Sequence, residues 1–298
     1  MNTTAKHLLK ETIDKIQGAY APATIRAYEK NFLRFIEFSE TLNEGALPAN
    51  EMLVTRYIKD LSDGRLKSSS IRIAVASISA IHKLNQFTDP TTKPEVRLEL
   101  RRMHRTLGRE SRQAIGINQV TLNKLISNTE DNLIGYRDRA LLLTAYDGMC
   151  RRSELTGLRV EDITYTNNKS IKMRLRRSKT DQDGLGRWLF LDTKAQLAII
   201  DWLKSSGIQE GKLFRGIHKQ NQLSDGLSVS QVNRIFKKIA RKSRLEPMLV
   251  NGISGHSMRV GAAQDLLSSG SSLAKIMQRG RWSKTDTVMR YLEYASIT

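Results

Sequence analysis

Hydrophobic residues recur every three or four positions through the first third of the chain, which is the spacing of amphipathic helices. The first such run follows Pro22, a residue type that is favoured in an opening helical turn. Its apolar positions are Tyr28, Phe32, Phe35 and Ile36. A second helix is predicted over residues 51–61, and a third after Ser68, Ser69 or Ser70, any of which can cap it. The core stripe of the third helix comprises Ala74, Ile78, Ile81 and Leu84.

The pattern changes in the second part of the chain. Helices are predicted over residues 120–126 and 136–146, but residues 170–176 alternate strictly between polar and apolar, which predicts a strand. Residues 187–191 form a second short run of bulky side chains, and residues 177–186 between the two runs are predicted to be a turn. Helical spacing then returns over residues 196–203, 228–241, 262–267, 273–277 and 285–292. The sequence therefore predicts a mainly α protein with a small antiparallel sheet.

Chain length and one charged interval predict two domains. The 298 residues are about twice the typical ~150-residue domain. Residues 101–112 are rich in arginine and carry little apolar pattern, which is typical of a connection between domains. We predict a helical domain at 1–108, a linker at 109–117 and a second domain at 118–298.

Charge indicates the kind of partner. Lys and Arg number 49 against 30 Asp and Glu, which gives a net charge of +19. Residues 1–108 contribute +5 of this excess, and the remainder of the chain contributes +14. Such an excess predicts a polyanionic partner.

The cysteine content and the first residues indicate a compartment. Cys150 is the single cysteine, so no intramolecular disulfide can form, and this favours a reducing environment. Residues 1–20 carry scattered charges and no apolar run of the length that a signal sequence or membrane helix requires. We therefore expect a soluble, cytoplasmic protein.

Two predicted helices have a second face that suits a nucleic acid. On the third helix, small residues would let the backbone approach a DNA groove while Arg72 and Lys83 meet phosphates. That face comprises Arg72, Ala76, Ser79 and Lys83. In residues 228–241 a different face aligns Asn233, Lys237 and Arg241 at intervals of four residues, which fits the major groove. An ordinary solvated surface also explains either face, so both alternatives stay open.

Five further features are informative in combination. Each one alone has an ordinary explanation in packing or in surface charge, but their order along a strongly basic chain is specific. The features are Arg151-Arg152-Ser153-Glu154, Lys179, His256-Ser257-Met258-Arg259, Trp282 and, nine residues later, Tyr291.

Four of these residues suit the binding of a phosphodiester that is being attacked. Negative charge builds on the non-bridging oxygens, and two guanidiniums are the natural clamp for it. Arg151 and Arg259 are the candidates for this clamp. Trp282 can donate its indole N–H to a phosphate oxygen. Glu154 lies three residues after Arg151, on the same helical face, where it can orient its neighbours.

The other three residues suit proton transfer and attack. Tyrosine, with a pKa near about 10, is a weak nucleophile at neutral pH unless a neighbour accepts its proton. His256 can accept the proton from Tyr291. A leaving 5′-oxygen needs a proton donor, and Lys179 in the turn of the small sheet can supply it. No metal is required, and the carboxylates at Asp147 and Asp181–Asp183 are interpreted as parts of turns because they lack the spacing of cation sites.

The C-terminal motifs resemble those of the tyrosine recombinase (phage integrase) family, in its Cre-like branch. They are Gly255-His256-Ser257-Met258-Arg259-Val260-Gly261-Ala262-Ala263, Ile276-Met277-Gln278, Gly280-Arg281-Trp282 and Val288-Met289-Arg290-Tyr291. The resemblance extends through Arg151, Glu154 and Lys179, and more loosely to the first domain. It implies a C-shaped clamp around DNA, formed by a core-binding domain and a catalytic domain. It also implies a covalent 3′-phosphotyrosine, a Holliday junction and four protomers on two duplexes, with no cofactor.

Two positions depart from the common family pattern. Most phage integrases have histidine where this chain has Trp282, and tryptophan at that position supports the Cre-like branch. Seven residues follow Tyr291. Cre-like enzymes carry a longer C-terminal helix that docks into a neighbouring protomer, so we expect either a short exchanged segment or a shortened form of a longer chain.

The resemblance implies a site-specific recombinase of bacterial or phage origin that acts on double-stranded DNA at an inverted-repeat target. Two alternatives stay open. One is a DNA-binding protein with the same fold and no chemistry, and the other is an enzyme similar to type IB topoisomerases, which would relax DNA as a monomer.

Overall fold

The computed structural model describes residues 2–109, 114–166, 170–176 and 184–292. The chain divides into two compact units, Met1–Arg112 and Gln113–Thr298. In the part of the chain that the structure describes, no helix is long and apolar enough to cross a membrane.

The regular structure described in the first unit is helical. Pro22 and Pro94 each occupy an opening helical turn, and the Asn50 side chain caps α3 by accepting the Leu53 N–H at 2.8 Å. The helices are α1 (Asn2–Lys15), α2 (Pro22–Thr41), α3 (Glu51–Asp63), α4 (Ser68–Leu84) and α5 (Pro94–Leu107). They enclose a core in which Phe32, Phe35 and Tyr57 are almost fully buried.

Helix α4 has the predicted core stripe but not the predicted cap. Ala74, Ile78 and Ile81 are buried, and Leu84 is half-buried. The helix already begins at Ser68, so the N-cap residue is Lys67, and no side chain caps the helix. The prediction that a serine caps α4 is therefore wrong. The Ser68 hydroxyl pairs instead with Nδ1 of His104 on α5, at 2.9 Å.

Helix α5 corrects part of the predicted connection. It continues to Leu107 and ends at Gly108, whose φ of 69° is unfavourable for other residues. Residues 101–107, for which the sequence predicts part of a charged connection, are therefore helical. The helix buries only Val96 and Met103 fully, and so its apolar signal is sparse.

The second unit contains the remaining helices and the sheet. Most of α7 is buried, and α12 packs against α7, α13 and α14. The helices are α6 (Gln119–Ser127), α7 (Leu133–Asp147), α8 (Arg152–Leu155), α9 (Thr193–Ser206), α10 (Val229–Lys242), α11 (Pro247–Gly252), α12 (Ser257–Ser268), α13 (Leu273–Gly280) and α14 (Thr285–Leu292). Helix α10 begins with a side-chain cap, because the Ser228 hydroxyl accepts the Gln231 N–H.

The sheet is antiparallel, with the strand order β1-β2-β3. Its strands are β1 (Ile163–Tyr165), β2 (Ile171–Leu175) and β3 (Arg187–Leu189). In β2 the predicted alternation is confirmed, because Ile171, Met173 and Leu175 are buried while the residues between them are exposed. Strand β1 was not predicted, since three residues are too few to show a period. The mainly α fold with a small antiparallel sheet is thus the predicted one.

Candidate active site

Four segments of the second unit bring the predicted residues together. Arg151 is the N-cap residue of α8, and His256 holds the same position before α12. Arg259 lies in the first turn of α12 and is 1% exposed. Trp282 follows α13, and Tyr291 lies near the end of α14. The fold therefore gathers residues that are up to 140 positions apart in the sequence.

The Arg259 guanidinium is held by backbone and by an aromatic ring. It donates to the Met149 carbonyl at 2.6 Å and to the Gly280 carbonyl. Its central carbon lies 4.1 Å from the centroid of the Trp282 ring, a cation–π contact. Burial, followed by repulsion from Arg151 and Arg281, lowers the pKa of Arg259 to about 9. The side chain therefore stays cationic at neutral pH, and only some of its five N–H donors are used.

Glu154 links Arg151 to a second arginine. It is 3% exposed. Its Oε1 accepts from Nη1 of Arg151 at 2.6 Å, and its Oε2 accepts from the Arg151 backbone N–H at 2.9 Å. Oε2 also accepts from Nη2 of Arg281 at 2.9 Å. Burial alone would raise the pKa of Glu154, but Arg281 and Arg151 outweigh it and hold the pKa below its usual value. Glu154 is therefore an anion at neutral pH.

Arg281 was not among the residues singled out from the sequence. Besides Glu154, its guanidinium donates to the Gly148 carbonyl at 2.8 Å and to the Met149 carbonyl at 3.2 Å. These contacts join the end of α13 to the turn that precedes Arg151. Its position beside Trp282 in the family motif was the sequence signal that could have identified it.

The surroundings of His256 favour its neutral form. Burial, followed by the positive charges of Arg152, Arg259 and Arg151, lowers the pKa of its imidazole, and Glu154 opposes this only in part. The ring is therefore uncharged at pH 7 and can accept a proton. Gly255, which precedes it, is required sterically, because a Cβ there would lie 1.8 Å from Cγ of Arg152.

Tyr291 packs beside the arginine–tryptophan pair. Its ring centroid lies 5.6 Å from that of Trp282. The backbone carbonyl of Tyr291 accepts a hydrogen bond from Nε2 of Gln264 on α12 at 3.1 Å. The half-buried Tyr291 phenol also interacts electrostatically with Arg259. The candidate nucleophile, Tyr291, and a candidate phosphate ligand, Arg259, therefore lie in one cluster.

The structure does not place Lys179 or the predicted turn carboxylates in this cluster. Lys179 and the carboxylates of Asp181–Asp183 belong to residues 177–183, which the structure does not describe. Asp147 is the last residue of α7, and its Oδ2 accepts the Asp192 N–H at 3.0 Å. Burial and the neighbouring Asp192 raise the pKa of Asp147 to about 7. Among the described ranges, no group of three or more His, Cys, Asp or Glu side chains is placed to hold a metal ion.

The residues predicted to contact DNA have different surroundings. Arg72 is exposed and lines a shallow depression with His104. Lys83 is exposed but forms an ion pair with Asp89 at 3.0 Å. On α10, Arg241 is exposed, whereas Lys237 is half-buried and donates to the Asn251 carbonyl at 3.0 Å. Asn233 is half-buried, and its Oδ1 is buried without a hydrogen-bond partner among the described residues.

Comparison with known proteins identifies the family. A sequence model of the phage integrase family matches residues 117–296. The chain belongs to that family. It is 29% identical over 294 residues to an integrase/recombinase xerD homolog of Selenomonas ruminantium, covering 95% of this chain and 85% of the relative. It is 26% identical to recombinase cre of Escherichia phage P1 over 273 residues, covering 84% and 78%.

Solved members with the same fold are more distant in sequence. The XerH site-specific recombinase bound to a palindromic difH substrate superposes with a TM-score of 0.67 at 17% identity, covering 97% of this chain and 81% of that one. The Tn1549 transposon integrase in complex with transposon right end DNA gives a TM-score of 0.65 at 14% identity, covering 98% and 95%. These TM-scores show a shared fold.

Proposed function

We propose that this protein is a site-specific DNA recombinase that cuts and rejoins strands through a covalent 3′-phosphotyrosine at Tyr291. The observation that carries the proposal is the cluster formed by Arg259, Trp282 and Tyr291, with Arg151 on the adjoining turn. This cluster suits the attack of a tyrosine on a phosphodiester. It contains a buried cation, the aromatic ring that covers that cation, and a half-buried phenol in contact with the same ring. Membership of the phage integrase family supports the same activity.

The first chemical step transfers the phosphoryl group to the protein. The Tyr291 oxygen attacks the scissile phosphorus, and the bond from phosphorus to the 5′-oxygen breaks. The phenolic proton passes to His256, whose lowered pKa leaves it neutral beforehand. Lys179 gives a proton to the departing 5′-oxygen. Arg151 and Arg259 stabilise the charge that builds on the non-bridging oxygens, and Trp282 donates to one of them.

The second step is the reverse reaction with a different strand. A 5′-hydroxyl from the partner duplex attacks the 3′-phosphotyrosine, which restores a phosphodiester and frees Tyr291. The number of ester bonds is the same before and after, so no nucleotide or metal is needed to drive rejoining. Exchange of one strand pair leaves a Holliday junction, and exchange of the second pair resolves it.

The partner is double-stranded DNA. The net charge of +19 supports this proposal, as do the relatives that were solved in complex with DNA. We place the core-binding domain at 1–108, the linker at 109–117 and the catalytic domain at 118–298. Four copies would act on two duplexes at an inverted-repeat site, in a bacterial or phage replicon. Contacts from Arg72, Lys83, Asn233, Lys237 and Arg241 would position the DNA.

One experiment tests the function and recovers the target sequence at the same time. The protein is incubated with DNA from its own replicon, covalent complexes are trapped with SDS, and the attached fragments are sequenced. We expect fragments that share one sequence, with a phosphotyrosine peptide that contains Tyr291. Adducts scattered over all sequences would instead indicate a relaxing enzyme, and the lack of any adduct would indicate a DNA-binding protein without chemistry.

A further inference from the structure

We propose that Arg281 is a positioning residue for this reaction, acting through the turn before Arg151 and through Glu154 to aim Arg151 at the scissile phosphate. The proposal rests on the proposed function. Most of the hydrogen-bond acceptors of the Arg281 guanidinium belong to the segment that presents Arg151, namely Gly148, Met149 and Glu154.

Apart from a 3.3 Å hydrogen bond to the Arg279 carbonyl, the hydrogen bonds of the Arg281 guanidinium go to residues 148–154. Its Nη1 donates to the Gly148 carbonyl at 2.8 Å, and its Nη2 donates to the Met149 carbonyl at 3.2 Å. The same carbonyl of Met149 accepts from Arg259. Arg281 and Arg259 therefore hold one backbone oxygen between them, two residues before Arg151. This arrangement sets the distance between the two proposed phosphate ligands.

The turn that Arg281 holds is not favourable by itself. Met149 has a φ of 45°, in the left-handed region that side chains other than glycine and asparagine rarely adopt. A turn of this kind persists when surrounding contacts fix it. The hydrogen bonds to Gly148 and Met149 are such contacts.

Arg281 and Arg151 share the carboxylate of Glu154. One carboxylate oxygen of Glu154 accepts from the side chain of Arg151, while the other accepts from Arg281. Both side chains of the Arg281–Glu154 pair are buried, so the interaction is poorly screened by water. Without Arg281 the whole negative charge of Glu154 would act on Arg151, which would then present a weaker positive field to the phosphate.

The backbone conformation of Arg281 favours glycine, so the arginine side chain must contribute something that glycine cannot. Arg281 is the C-cap residue of α13 and has φ 57° and ψ 48°, a left-handed conformation that is usually filled by glycine. An arginine there is unfavourable for the backbone. Glycine would relieve that conformation, so Arg281→Gly removes the guanidinium without adding backbone strain.

The chain offers a matched control. Arg244 is also an arginine with a left-handed backbone, with a φ of 51°, and it is exposed on the same unit. Arg244→Gly makes the identical chemical change outside the cluster. Arg281→Lys keeps a positive charge but loses the planar guanidinium, whose two terminal nitrogens bond different acceptors.

The test is a double-mutant cycle on the rate of strand cleavage. The substrate is a nicked duplex that carries the site recovered by covalent trapping, at saturating protein and in a single turnover, and melting temperature is measured for each variant. We expect Arg281→Gly to slow cleavage up to about a hundredfold, Arg281→Lys to slow it less, and Arg244→Gly to leave it unchanged. In an Arg151→Ala background, Arg281→Gly should cost less than about threefold.

The outcomes separate this inference from the function on which it rests. A wild-type protein that forms no covalent adduct would refute the recombinase proposal. If the wild-type protein cleaves and Arg281→Gly cleaves equally fast, only the role of Arg281 is overturned. The same holds if Arg281→Gly slows cleavage by the same factor in the presence and in the absence of the Arg151 side chain. If Arg281→Gly is unfolded at the assay temperature, the same cycle with Arg281→Lys decides between these outcomes.

Discussion

The Arg259 guanidinium lies over the face of the Trp282 ring, with 4.1 Å between its central carbon and the ring centroid. This contact stabilises the cation by about 0.5–2 kcal/mol and covers one of its two faces. Of its five N–H donors, those that do not bond the Met149 and Gly280 carbonyls are the ones proposed for a phosphate oxygen. Because Trp282 also contacts Tyr291, a single side chain orients the proposed clamp and the proposed nucleophile.

Tyr291→Phe should bind target DNA with unchanged affinity and form no covalent adduct, because only the phenolic oxygen is lost. Binding is measured by gel shift, and the adduct by SDS-resistant mobility of labelled DNA. Tyr294→Phe serves as the control and should still form the adduct. An adduct that persisted in Tyr291→Phe and disappeared in Tyr294→Phe would exchange the roles of the two tyrosines.

Gly280→Ala should damage the site through Trp282. A Cβ at position 280 would lie 1.9 Å from Cζ3 of the indole, so the ring must move away from Arg259. We expect a loss of about 1–3 kcal/mol in the free energy of unfolding, as for other overpacked sites, together with slower cleavage. Urea denaturation and single-turnover cleavage measure the two effects. Gly45→Ala is the control, since its Cβ would meet nothing closer than 3.9 Å.

The rate of cleavage should fall at low pH with a midpoint below 6.5. The pKa of His256 is lowered from 6.5 by burial and by neighbouring arginines, so the neutral base persists to more acidic pH than in an ordinary histidine. Single-turnover rates between about pH 5 and 8, on the nicked duplex, report this limb. The prediction fails if His256→Gln retains the same limb, since another group would then be titrating.

Lys179→Ala should slow cleavage of an ordinary phosphodiester but largely spare a substrate whose leaving group is a 5′-thiol. A thiolate leaves without protonation, so the general acid is no longer needed. Parallel single-turnover rates on the two substrates make the comparison. An equal loss on both substrates would remove Lys179 from the acid role and leave it as a DNA contact.

Binding should weaken steeply with salt, while cleavage should survive EDTA. Each phosphate neutralised by Lys or Arg contributes about −0.9 to the slope of log K against log salt concentration. Fluorescence anisotropy across a salt series gives the slope. Charge stabilisation is assigned to Arg151, Arg259 and Lys179, so chelation should change nothing. Cleavage that vanished in EDTA and returned with magnesium would contradict the proposed mechanism.

Long periodic segments were predictable from the sequence, and short or sparse ones were not. Helices α2 and α4 each place an apolar residue on the core side at nearly every turn, and that repeat predicted them. Helix α5 buries two residues fully among many charges, so its second half resembled a connection. Strand β1 has two exposed residues out of three, and it is defined by pairing with β2 rather than by its own composition.

The same distinction applies to the candidate site. His256, Arg259, Trp282 and Tyr291 belong to motifs whose order is visible in the sequence, and the structure gathers them. Arg281 stands between two motif residues, but its importance depends on contact with Glu154, which lies 127 positions earlier. No local pattern encodes a contact across that separation. It follows from how the end of α13 lies against the turn after α7.

Helix α12 has a consequence for how subunits can cooperate. It carries Arg259 in its first turn and Gln264 farther along, and Gln264 holds the backbone of Tyr291. Among the described residues, one polypeptide thus brings its own Tyr291 to its own Arg259 and Trp282. An inactive subunit would not be complemented by an intact one beside it. In mixed assemblies, the proportion of strands that can be cut would follow the proportion of intact chains.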